Sequence, residues 1–157
     1  MTEEAAAAAV RQVADVVEFL DIIELTDVAY HEISGRRTGE AGRAAEHDSQ
    51  SVAMLFAWEP AQVAVRSRLE LRAEDAEYVV DVVTVYSLSR PATLTDAAAR
   101  DFAAKVAIMA AYPYLRSGLH DLATRLRVPV PVLGLLRQGQ VVLDRVEDTT
   151  PPSPPES

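Results

Sequence analysis

The chain has no cysteine, so disulfide bridges and thiolate metal sites are excluded. That suits a reducing compartment. Positive charge is also scarce. Fifteen Lys and Arg face 24 Asp and Glu, and the net charge of −9 repels a nucleic-acid backbone. Long apolar runs are missing too. Runs such as Ala5–Val10 are far short of a membrane span. The start, Met-Thr-Glu-Glu and then alanines, lacks the positive region of an export signal. A cytoplasmic chain is expected, with no nucleic acid and no membrane insertion. The six glycines form no phosphate-binding loop, because Gly35, Gly39 and Gly42 precede neither a helix opening nor a Lys-Ser/Thr pair. His31, His47 and His120 have no ligand spacing, and no serine sits in a Gly-x-Ser-x-Gly setting. No catalytic residue, metal or cofactor is expected, and the chain is read as no enzyme.

What is present suffices for one packed domain. The length is 157 residues and 49% of them are apolar. One domain is expected over 1–148, with a flexible polar loop at 35–49 and a disordered Pro-rich tail at 149–157. Val10, Val13, Val17 and Leu20 recur at helical spacing and predict a helix over 3–20. Residues 21–34 are β-branched and aromatic, and predict a strand. Strict alternation puts Ile23, Leu25, Ala29 and Ile33 on one face of it, with Ile22, Val28 and Tyr30 on the other. Residues 51–59 align Val52, Met54, Phe56 and Trp58 on one face. Residues 61–73 alternate cleanly, with Arg66, Arg68, Glu70 and Arg72 on the wet side. The local excess of arginine there reads as a solvated strand face. Residues 77–89 line up Tyr78, Val80 and Val82.

Thr93 or Thr95 can cap a helix through 101–111. Pro113 interrupts it, and a second helix is expected over 114–127. That helix aligns Leu115, Leu119, Leu122 and Leu126 beside Gly118, and Val128-Pro-Val-Pro-Val132 comes after it. Strands followed by helices predict an α+β fold: a four-stranded antiparallel sheet with helices packed on one face, and an N-terminal helix before the first strand. One helical layer leaves apolar surface over. The leucine stripe with Gly118, and the Tyr78, Val80 and Val82 row, are therefore expected to meet a second copy in a twofold oligomer.

At Tyr112-Pro-Tyr-Leu-Arg116 the chain resembles the (Phe/Tyr)-Pro-Tyr-x-Arg motif of SecB-type export chaperones. Leu119 to Val132 is similar to their long helix and its Pro-containing exit, and Phe56-Ala-Trp-Glu-Pro60 to a Trp-x-Pro near their second strand. The leading helix looks more like the SecB-like chaperones that accompany toxin–antitoxin pairs. The resemblance implies an ATP-independent holdase, a homotetramer built as a dimer of dimers. Its partners would be unfolded preproteins or an antitoxin, with the export motor SecA as a further partner. By position, the client groove would take Met54, Phe56 and Trp58 from the strand, Tyr112, Tyr114 and Leu115 from the helix, and Val128, Val130 and Val132 from the exit. Binding many unfolded segments needs large apolar surface, so the residue types agree. The family's acidic docking patch for the motor would fall on the face that carries Arg66, Arg68 and Arg72, which tilts the expectation towards a dedicated client. Residues 139–147 read as strand or coil, where the family has a later helix. The competing reading is a small-ligand-binding dimer or enzyme with an apolar pocket lined by the Val52–Trp58 strand.

Overall fold

The structure of the protein, a computed structural model, describes residues 10–38 and 49–133 and the backbone of 141–146. The expected tail at 149–157 and most of the expected loop, 39–48, lie outside the described residues. Gly35 to Arg37 and Ser49 belong to strands.

Four antiparallel strands make the body of the sheet: β2 (Ile23–Arg37), β3 (Ser49–Glu59), β4 (Gln62–Arg72) and β5 (Ala76–Leu88), in the order β2-β5-β4-β3. Two-residue and three-residue connections join β3, β4 and β5, so neighbours in sequence pair in space. A further strand, β7 (Val141–Val146), runs parallel to β3 along its other edge. The helices cover one face, which makes the fold α+β. Alternation fixes which side chains they cover. Val63, Val65, Leu69 and Leu71 of β4 are buried, as are Tyr78, Val80, Val82 and Tyr86 of β5.

Strict alternation fails on β2. Its pairing with β5 shifts between Leu25 and Asp27 and again between Tyr30 and Glu32. Each bulge inserts one unpaired residue and reverses the facing of the residues beyond it. Ala29, opposite Val83, therefore shares the outer face, while Val28 and Tyr30 join Leu25 and Ile33 on the helix side.

The expected N-terminal helix over 3–20 is corrected. Residues 1–9 lie outside the described part. Beyond them Arg11–Val13 is a strand, β1, parallel to β6 (Ala92–Leu94), and the helix α1 is only Val16–Leu20. Asp15 stops the helix from extending backwards: it is extended at φ −115°, and its carboxylate accepts the Val17 N–H at 2.9 Å. Of the expected stripe only Val13 is buried, while Val10, Val17 and Leu20 stay exposed.

Thr95 caps α2 (Asp96–Phe102), and its hydroxyl accepts the Ala98 N–H at 3.2 Å. A π-helical turn over Ala103–Ala107 then leads into α3 (Ile108–Leu126). Pro113 lies inside α3 and does not restart it, contrary to the break expected there. Its missing N–H leaves the Met109 carbonyl without its usual helical donor, and both residues lie on an exposed face. Phe19 of α1 and Phe102 of α2 close over Phe56 and Trp58. Phe56 stacks on Trp58 at 5.8 Å, Phe19 meets Phe102 edge-on at 5.3 Å, and Phe19 meets Trp58 at 6.0 Å. Protein rings fill the space that an apolar ligand pocket on the Phe56 and Trp58 face of this strand would need.

The stripe expected between subunits is also corrected. α3 packs along β5 and β2 of its own chain. Leu115, Gly118 and Leu119 are buried there, and so are Tyr78, Val80 and Val82. Leu122 and Leu126 are half-buried against the same core. Gly118 is required by this approach: a Cβ on it would lie 2.8 Å from Val80 Cγ1 and 3.2 Å from Tyr30 Cε1.

Candidate functional site

The segment after α3 creates a surface cleft. Arg127 ends the helix in the left-handed conformation, φ 56° and ψ 46°. Its N–H bonds the Thr124 carbonyl at 3.2 Å, and the Val128 N–H bonds that of Ala123 at 3.1 Å. This left-handed stop reverses the chain. Pro129 and Pro131 then forbid a return to helix, each holding its predecessor extended. The segment runs back along α3 towards its start, where the Tyr112 hydroxyl donates to the Leu133 carbonyl at 3.1 Å.

Between segment and helix lies a cleft of about 350 Å³. Pro113, Arg116, Ser117 and His120 form its helix wall, on one face by their spacing of three and four. Val130, Pro131, Val132 and Leu133 form the other wall, and Leu119, buried, lies between them. Val132 is 89% exposed and Val130 40%, so apolar side chains stand open to a ligand. Arg116 carries its guanidinium 5.9 Å from the centre of the Tyr112 ring. Among the described residues no carboxylate lines this cleft.

Of the groove residues expected from the sequence, the structure brings Val130 and Val132 together here, with Tyr112 fastening the segment. Tyr114 points elsewhere, because residues two apart on a helix face nearly opposite ways. Its ring meets Tyr30 edge-on at 6.5 Å, and its carbonyl accepts the Tyr30 hydroxyl at 2.9 Å. Met54 and Phe56 are core residues, 0% and 2% exposed, and Leu115 is buried as well. These three have no surface to offer a client. Trp58 and Val128 are half-buried against the core. Sequence reasoning missed Pro113, Arg116, Ser117 and His120. The signal was available in their helical spacing, offset from the leucine stripe.

The bare face of the sheet carries a second cleft over β3 and β4, lined by Ser51, Val52, Ala53, Leu55, Arg66, Arg68 and Glu70. Its cations are not free. Arg66 binds Asp81, itself 0% exposed, at 2.6 Å. Arg68 binds Glu32 at 2.6 Å and Glu70 at 2.9 Å. Hydrogen bonding to Glu32 and Glu70 raises the Arg68 pKa, and the same bond from Arg68 holds Glu32 below the usual carboxylate range. Arg36 and Arg72 both meet Glu77. The local arginine excess is thus spent within the sheet and leaves no basic patch. Among the described residues no cluster of His, Asp and Glu could hold a metal ion. No helix among them is long and apolar enough to cross a membrane.

No protein-family model matches the chain. A curated relative, the SecB-like chaperone SmegB of Mycolicibacterium smegmatis, is 36% identical over 135 residues, covering 86% of this chain and 90% of the relative. Among solved structures, the fold is similar to the Mycobacterium tuberculosis SecB-like chaperone Rv1957, solved with a ChAD peptide from the HigA1 antitoxin. The TM-score is 0.63 at 18% identity, over 77% of this chain and 92% of that one. The motif at Tyr112-Pro-Tyr-Leu-Arg116, the four-stranded sheet under its helices and the identity held along most of both sequences agree: the chain belongs to the SecB-like chaperones.

Proposed function

We propose that this chain is an ATP-independent, cytoplasmic holdase without enzymatic activity, and that it receives an extended apolar client segment in the cleft between α3 and the Val128–Leu133 segment. The observation that carries the reading is Val130 and Val132 standing exposed across from Pro113 and Arg116, beside a segment tied down by Tyr112. Exposed valines on a held backbone offer apolar contact without a large ordering cost. An antitoxin segment is the favoured client, because the Mycobacterium tuberculosis neighbour was solved with an antitoxin peptide. The paired arginines of the bare sheet face give no acidic dock for the export motor SecA, which supports a dedicated client over general export.

The assembly in this reading is a homotetramer, and its first contact is the edge of β2. This strand has 15 residues, and its outer edge pairs with nothing among the described residues. Leu25, Tyr30 and Ile33 are each more than 40% exposed on its helix side. A long apolar edge invites a second copy, and antiparallel β2–β2 pairing would satisfy its backbone and cover those side chains together.

Light scattering tests the holdase. The protein should suppress aggregation of a denatured client equally well with and without ATP. The Val130→Asp, Val132→Asp double variant should lose most of that suppression, since charge in the wall repels apolar segments. Unchanged suppression by a folded double variant would refute the groove.

A further inference from the structure

We propose that this groove selects clients in which an acidic residue flanks the apolar segment. The inference rests on the groove as the client site and adds a charge rule to it.

Carboxylates outnumber cations in the chain by 24 to 15, yet the ionisable groups of the groove wall are a guanidinium and an imidazole, Arg116 and His120. The next carboxylate along the helix, Asp121, is engaged by Arg125 at 3.1 Å. Arg116 is exposed and meets no carboxylate among the described residues, whereas the arginines of the bare sheet face are all paired. It is also held in place. The Tyr112 ring lies 5.9 Å from its guanidinium carbon, a cation–π distance. Tyr112 in turn is fixed by its bond to Leu133. A stacked guanidinium still presents its planar fork of donors, which matches a carboxylate with two hydrogen bonds.

The apolar wall and the cation are parts of one cleft. An extended peptide places side chains on one side every second residue, about 7 Å apart. An apolar residue set against Val130 therefore brings a residue one or two positions away within reach of Arg116. A carboxylate there gains a partner, while a lysine there meets like charge. In a chain of net charge −9 this is a local exception, and it opposes the preference that the whole-molecule field would give.

The test uses fluorescence anisotropy on the full chain with short labelled peptides, Leu-Phe-Leu flanked by aspartates, by asparagines or by lysines. The aspartate peptide should bind about two- to five-fold tighter than the asparagine peptide, the range of an exposed ion pair. The lysine peptide should bind weakest, and the differences should shrink as salt rises. Arg116→Gln should flatten the order and Arg116→Glu should reverse it. Arg100→Glu, at an exposed position on α2, makes the same change in net charge and should leave the order intact. If all three peptides bind wild type equally and Val132→Asp abolishes that binding, the groove stands and the charge rule is overturned. If none of them binds wild type, the groove and the rule fail together. An order that survives in Arg116→Glu would also overturn the rule.

Discussion

At the scale of single residues, Gly118 and the sheet carboxylates decide most. Gly118 lets α3 descend onto β5, and the atoms it would strike belong to Val80, a β-branched side chain that is 0% exposed. Val80 has no room to yield. Gly118→Ala should therefore destabilise the fold by about 1–3 kcal/mol, read from the urea midpoint at constant slope. An unchanged midpoint would mean that the helix sits further from the sheet. Glu32 and Glu77 are held below the usual carboxylate range, chiefly by hydrogen bonds from Arg68 and Arg36. A depressed folded pKa contributes stability above the unfolded value of about 4.3, and that contribution is lost as pH falls through the folded value. Melting temperature should thus decline on the acid side of about pH 4.3, less steeply in Glu32→Gln, and salt should weaken the difference. The burial of Asp81 beneath two arginines, on a face with no helical cover among the described residues, could not be read from the sequence. Alternation gave its side of the strand, but only the register places it beside Arg68.

Among the elements, β3, β4 and β5 were legible because unbroken alternation and short connections leave one arrangement. β2 was legible as a strand but not by face, since two bulges at Thr26 and His31 shift its phase and no residue type announces a bulge. The N-terminal helix is misread from sequence because alanines and spaced valines fit a helix, whereas pairing with Ala92–Leu94 claims Arg11–Val13 for a strand. Proline misleads at 113, where an exposed helix face tolerates it, and guides correctly at 129 and 131. The groove was half legible for the same reason. The Val-Pro-Val-Pro-Val exit was evident, but its partner face on α3 looks in the sequence like plain solvent surface. The β2 edge can be broken without disturbing the fold. Leu25→Asp with Ile33→Asp changes side chains already 44% and 42% exposed, so the monomer should keep its secondary structure. Analytical ultracentrifugation should show the assembly dissociating. A variant that stays fully assembled would place the contact elsewhere.

For the molecule as a whole, the sheet has two unlike sides. Among the described residues, one carries all the helices and the cleft beside α3. The other has no helical cover among the described residues and carries ion pairs of its own, Arg66 to Asp81 and Arg68 to Glu32. A holdase needs apolar surface that is available yet too small and too framed to collapse on itself. The Val128–Leu133 segment supplies it, held off the helix it faces by a left-handed turn at one end and Tyr112 at the other. The bare face carries apolar side chains too, but half-exposed ones set among those ion pairs, such as Leu55 and Val83, whereas Val132 stands 89% exposed. Where a client touches is therefore decisive. The most direct measurement places a photo-crosslinking residue at position 132 in one sample and at position 72, on the bare face, in another. Each is then irradiated with an unfolded client. The client should crosslink strongly at 132 and only at background level at 72. Equal yields, or a higher yield at 72, would contradict a client groove between α3 and the Val128–Leu133 segment.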